Sequence, residues 1–179
     1  MRHALTLHPD SRCAAVTRIE VEAARPRPGS LMLRYLVTGA IGDLRLPPIK
    51  PSGRADGLWR STCFEAFLRA PPDEAYCELN FAPSTEWAAY RFDAYRAGMR
   101  AADDIGAPRL EFEAAGGLLS LQASLDPAGL PGEAAWRLGL AAVIEEAGGG
   151  ISYWALAHPP GRADFHRADG FILDLPMVS

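Results

Sequence analysis

The sequence predicts an all-β fold, an antiparallel β-sandwich with at most one or two short helices, formed by a single domain over residues 1–179. Three observations predict it. Segments of period-two alternation recur along the chain, the signature of strands with one face buried. Proline and glycine, 15 and 17 residues, punctuate the chain at short and fairly even intervals. The regular alternation of strands with long helices that a parallel α/β sheet requires is missing.

Each element follows from its own pattern. Val16 to Glu22 (VTRIEVE) and Leu31 to Thr38 (LMLRYLVT) alternate around a turn at ARPRPGS. Thr62 to Leu68 places Phe64, Ala66 and Leu68 on one face, with Cys63, Glu65 and Phe67 on the other. Tyr76 to Phe81 places Cys77, Leu79 and Phe81 opposite Tyr76, Glu78 and Asn80. Further strands are expected at Trp87–Tyr95, Arg109–Glu113, Leu118–Ser124, Trp136–Ile144, Ile151–Ala157 and Phe171–Leu175. Gly116–Gly117 and the glycines at 148–150 stand where hairpins must turn. A helical turn is expected between Tyr95 and Asp104, and His3 and His8 are assigned to an edge strand. The expected core comprises Phe64, Leu68, Cys77, Leu79, Phe81, Tyr90, Phe92, Trp136, Leu138 and Leu140, with Trp154 beside it.

Composition narrows the function. Eighteen basic against 22 acidic residues give a net charge of −4, and Lys50 is the single lysine. A nucleic-acid-binding domain would carry clustered positive charge, so nucleic acid is not an expected partner. No apolar run reaches the length of a membrane span, and MRHALTLHPDSR lacks the apolar core of a secretory signal, so the expected location is cytoplasmic. Cys13, Cys63 and Cys77 have no C-x-x-C spacing and read as reduced thiols. The nucleophile elbow, the phosphate loop, the dinucleotide fingerprint and the H-E-x-x-H zinc motif are all absent.

Three segments carry chemistry. Trp59 and Glu65 lie six residues apart, which in extended geometry shares a face. Tyr76, Glu78 and Asn80 form the polar face of the next segment. Together they would present an aromatic ring, two carboxylates and an amide, the composition of a sugar site. The alternative is that both glutamates face water, balanced by Arg91 or Arg60, and that Trp59 packs in the core. His158, Asp164 and His166 cluster in the Pro/Gly loop ALAHPPGRADFH. They could line a ligand groove, bind a metal, or form an Asp164–His166 acid–base pair. Asp103–Asp104 is a weaker candidate for calcium.

LWRSTCFEAFL, YCELNFAPSTEWAAYRFDAYRAGM, ALAHPPGRADFH and the final FILDL resemble the bacterial DOMON-like domains, which group with the family 9 carbohydrate-binding modules. The resemblance spans nearly the whole chain and is most specific from Trp59 to Met99. It implies a β-sandwich in which one curved sheet holds a ligand groove, and relatives that bind sugars or haem. It implies that Trp59 and Glu65 match a stacking tryptophan and its acidic partner. Glu78 and Asn80 fall where those relatives have Arg and Asn, so the arginine is lost. Phe165 and His166, with Trp154 earlier, stand in the region of a second tryptophan. Met32, Met99, His158 and His166 are the residue types that ligate haem in such relatives.

The leading expectation is a non-catalytic module that binds a sugar or similar polyhydroxylated ligand through Trp59, Glu65, Tyr76, Glu78, Asn80, Arg91, His158 and His166. A haem-binding redox module is the first alternative. An enzyme using Glu65 with Asp164 and His166 is the second.

Overall fold

A computed structural model describes residues 1–126 and 129–178. Thirteen strands form among them: β1 (Arg2–Leu7), β2 (Val16–Ala24), β3 (Leu31–Gly39), β4 (Gly53–Arg54), β5 (Cys63–Arg69), β6 (Tyr76–Phe81), β7 (Glu86–Phe92), β8 (Arg100–Ala101), β9 (Arg109–Ala115), β10 (Leu118–Leu125), β11 (Trp136–Glu145), β12 (Ile151–Ala155) and β13 (Leu173–Leu175). They make one continuous sheet in the order β4-β7-β6-β5-β11-β12-β1-β2-β3-β10-β9, with β8 added to β7 and β13 to β11.

The all-β expectation holds, and the description of an antiparallel sandwich needs correction. The sheet is mixed, because β4 runs parallel to β7 (Gly53 opposite Glu86). It is also unbroken, because β1 bonds β2 through Arg2–Leu5 and β12 through Thr6–Leu7. The curled sheet encloses one main core. Ile19, Val21, Leu33, Tyr35, Leu119 and Leu121 from one half meet Phe64, Leu68, Leu79, Phe81, Leu138 and Leu140 from the other. Tyr35 ties the halves together: its ring lies 5.0 Å from Phe64 and its hydroxyl donates to the Glu65 main-chain oxygen at 2.8 Å.

Local sequence accounts for most of this. In β10, Leu119, Leu121, Ala123 and Leu125 are buried while the residues between them are not, the clean alternation of a one-face-wet strand. The β9–β10 hairpin turns on Gly116 and Gly117, both at positive φ (55° and 85°), where a side chain would be strained. In β5 and β6 the alternation hides a different fact, since every residue from Cys63 to Leu68 and from Tyr76 to Phe81 is buried. Their second face carries its own apolar cluster of Phe67, Tyr76, Ala88, Tyr90, Phe92, Ala141, Ala155 and Phe171. Phe171 reaches the sheet because Gly139 has no side chain; a Cβ there would come within 2.7 Å of its ring.

All ten expected core residues are buried. Tyr90 and Phe92, however, belong to the outer cluster, while Trp87 and Ala89 face the main core. The helical turn expected between Tyr95 and Asp104 does not form; turns and the short β8 occupy that stretch, and the described residues hold only three one-turn 3₁₀ segments and no α-helix. His3 lies on β1, an interior strand of the sheet, and His8 just beyond it. The terminal expectations shorten too: β7 ends at Phe92, β12 at Ala155, and β13 begins at Leu173. Among the described residues no helix is long and apolar enough to cross a membrane.

Candidate functional site

The outer face of β5 and β6 is the only place where the chain sets carboxylates into a buried strand surface among the described residues. Cross-strand register puts Glu65 opposite Asn80, and Glu78 opposite Phe67 on one side and Tyr90 on the other. Glu65 and Glu78 are thus diagonal neighbours on one face, as the parity of the sequence requires. Glu65 is 3% exposed, Glu78 4% and Asn80 0%.

The segment after β12 folds across this face. It encloses a cavity of about 330 Å³ lined by Trp59, Glu65, Glu78, Phe92, Arg96, Met99, Val143, Tyr153, Ala163, Asp164, Phe165 and His166. Trp59 arrives by another route than the one its spacing suggested. It sits on the 3₁₀ turn Leu58–Arg60, outside β5, with its ring edge-on to Tyr90 at 5.9 Å and 36% exposed.

A chain of hydrogen bonds fixes the cavity wall. Asn80 Nδ2 donates to Glu78 Oε1 at 2.8 Å. His166 Nδ1 and the Tyr76 hydroxyl are 2.8 Å apart, and the Tyr76 oxygen accepts the Arg96 main-chain N–H at 3.3 Å. With the phenol donating to Nδ1, His166 is the Nε2–H tautomer. Nε2 then faces Glu78 Oε2 at 3.7 Å. Burial, reinforced by the Arg96 charge, pushes the His166 pKa down to about 4. The imidazole is therefore neutral at pH 7, and its approach to Glu78 is not an ion pair. Arg96 is held with φ at 51°, a left-handed backbone rarely used outside glycine. Its guanidinium bonds Asp164 Oδ1 at 2.8 Å, and Tyr95 donates to Asp164 Oδ2 at 2.5 Å.

Glu65 stands apart from this network. Burial first, and the Glu78 charge second, raise its pKa well above the usual carboxylate range; Arg96 only partly opposes them. Its Oε1 is buried without a hydrogen-bond partner, as is Asn80 Oδ1. Burial likewise raises Glu78, against the pull of Asn80 and Arg96.

Of the eight residues proposed from sequence, Trp59, Glu65, Glu78 and His166 line the cavity. Tyr76 and Asn80 stand one layer behind, buttressing His166 and Glu78. Arg91 is elsewhere. The β6–β7 register pairs it with Cys77 on the inward-facing side, where it bonds Asp104 at 2.6 Å and Cys77 Sγ at 3.2 Å. Neither Arg91 nor Arg60 supplies the expected counter-ion; the guanidinium in the cavity wall is that of Arg96, which pairs with Asp164 and only partly offsets the two glutamates. His158 is also elsewhere: its Nε2 bonds the Thr6 carbonyl at 2.8 Å, beside His8. Asp164 and His166 do not form an acid–base couple, since Asp164 accepts the His166 main-chain N–H at 3.1 Å while the ring turns to Tyr76. Asp104, weighed for calcium, is engaged by Arg91, and no group of three His, Cys, Asp or Glu is placed to hold a metal ion among the described residues. Of the residues weighed as haem ligands, Met99 and His166 line the cavity, whereas His158 and Met32 do not. Arg96, Val143, Tyr153 and Ala163 are the lining residues that sequence reasoning did not single out.

No protein-family model and no curated protein matches the sequence. Solved structures do match the fold. A proposed carbohydrate-binding protein from Bacteroides uniformis ATCC 8492 is similar over 99% of this chain and 86% of its own, with a TM-score of 0.71 and 15% identity. A family 9 carbohydrate-binding module from Caldicellulosiruptor kristjanssonii, in complex with glucose, is similar over 97% of this chain and 84% of its own, with a TM-score of 0.52 and 10% identity. The same type of module from that organism with cellotriose covers 98% and 82%, with a TM-score of 0.56 and 9% identity. At these identities the likeness is one of fold: this chain has a fold similar to that of these three structures.

Proposed function

We propose that the chain is a non-catalytic, DOMON-like module that binds a sugar or related polyhydroxylated molecule in the cavity of Trp59, Glu65, Glu78 and His166. The observation that carries this reading is the buried Glu65 carboxyl, whose Oε1 has no partner in the wall of an aromatic-lined cavity. An unsatisfied buried polar group costs about 1–3 kcal/mol. A ligand hydroxyl at that position removes the cost, and Glu78, held by Asn80, offers a second acceptor. The volume, about 330 Å³, lies at the small end of ligand pockets. Trp59, partly exposed at the rim, supplies an apolar surface for a pyranose ring. The sugar-bound state of two solved neighbours supports the reading.

Titration calorimetry of glucose against the wild-type chain and Trp59→Ala tests it, with a thermal melt of both. The expected result is binding weakened about tenfold or more and a Tm shift under about 3 °C, the size set by a change below about 1 kcal/mol. A large fall in Tm makes Trp59 a core residue. Unchanged glucose binding moves the groove elsewhere. A Soret band on hemin titration that His166→Ala removes would favour the haem alternative.

A further inference from the structure

Three carboxylates and one guanidinium face the cavity: Glu65, Glu78 and Asp164 against Arg96. Arg96 is engaged by Asp164 at 2.8 Å. His166 is neutral, with Nδ1 bonded to Tyr76. Glu78 receives one neutral N–H from Asn80, and Glu65 Oε1 receives nothing. The other titratable groups near Glu65 bring no cation. Cys63 lies on its own strand, and the Tyr35 hydroxyl on β3 bonds its main-chain oxygen. The wall therefore holds two carboxylates without a counter-charge of their own. As diagonal neighbours across β5 and β6 they stand roughly 7–8 Å apart at the backbone, room for one small cation between their tips. Trp59, Phe92, Tyr153 and Phe165 line the same cavity, and aromatic rings attract a cation to their faces.

Resting on the reading of this cavity as a sugar site, we propose that its ligand is an amino sugar, a hexose whose protonated amine sits between Glu65 and Glu78. A full partner for this wall must satisfy its hydrogen bonds and offset the charge of a carboxyl that ionises there; a neutral hexose does only the first. An ammonium group does both, and charge-assisted hydrogen bonds are roughly twice as strong as neutral ones. The proton bookkeeping follows. Burial raises the pKa values of both free carboxyls, that of Glu65 well above the usual carboxylate range. An adjacent ammonium favours the ionised form, so binding releases protons. Affinity then rises with pH until the amine loses its own proton, near the α-amino reference of about 7.7–8.0.

The test is calorimetry of glucosamine, glucose and N-acetylglucosamine at about pH 6.5, in two buffers of different ionisation heat. The expected result is glucosamine about tenfold or more tighter than either neutral sugar, with proton release for glucosamine alone. Glu65→Gln and Glu78→Gln, both neutral and near-isosteric, should bring the glucosamine-to-glucose affinity ratio close to one. Glucose binding as tightly as glucosamine, or a ratio unmoved in both variants, overturns the amine assignment and leaves the sugar site standing. No binding of any of the three sugars, with Trp59→Ala indistinguishable from wild type, overturns both.

Discussion

The two halves of the curled sheet use the same residue types to opposite ends. On β2, β3 and β10 the outward face is wet. Arg18 and Glu20 meet there at 2.7 Å, and Arg34 bonds Ser120. A glutamate on that face keeps part of its hydration and gains an arginine partner. On β5 and β6 the outward face is roofed by Phe165, His166 and Phe171, and Glu65 and Glu78 lie beneath. A glutamate there loses its water and gains too few partners. The same carboxylate is thus neutral to folding in one half and costly in the other. A cost held in one place, next to a cavity, marks where the chain has placed chemistry above stability.

The comparison can be broken at three levels. The largest effect should come from the core that both halves share. Phe64→Ala or Phe81→Ala should lose about 3–5 kcal/mol in denaturant unfolding, through lost transfer energy and the cavity left behind. A loss under about 1 kcal/mol would mean the halves do not close on one core.

Glu65→Gln should do the reverse and stabilise the free protein. The folded pKa of Glu65 is raised, so its unfolded form ionises first as pH rises. The destabilisation therefore begins near the unfolded carboxylate value and grows as pH climbs toward the folded value. The variant should gain about 1–3 kcal/mol at pH 7 and almost nothing near pH 4, read from unfolding curves at both. Equal gains at the two values would sink the charge argument.

The smallest effect belongs to the wet half. Arg18→Gln removes an exposed ion pair and should change stability by less than about 0.5 kcal/mol. A loss above about 1 kcal/mol would show that this face, too, is covered in solution.

Sequence carried the strands of both halves but the site only in part. The pattern of YCELNF placed β6 at its observed bounds, and parity put Glu65, Glu78 and Asn80 on one face. It misassigned β7, where Ala88, Tyr90 and Phe92 point outward and Trp87 and Ala89 inward. A strand buried on both faces has no polar side to set its register, so Arg91 was placed beside the carboxylates it in fact turns from. Trp59 was found at the site for a reason that does not apply, since it stands on a 3₁₀ turn. Arg96, Met99 and Phe165 come from turns that meet only when the chain closes, and no local spacing encodes such a meeting. The positive φ at Arg96 leaves no trace in its residue type.

β1 carries a consequence for how the protein is made. Its first residues bond β2, a near neighbour in sequence, but Thr6 and Leu7 bond Ala155 and Trp154. One short strand is the sole ladder joining the two halves of the sheet among the described residues. During synthesis the partner of its first half, β2, follows directly, while its second half waits for β12, whose Ala155 stands 149 residues beyond Thr6. Until then β1 presents an unpaired edge, and afterwards it acts as the clasp that turns two open ribbons into one wall. Closure of so long a loop ranks among the slow steps of β folding. A competing strand offered in trans during that interval would find its opening at Thr6 and Leu7.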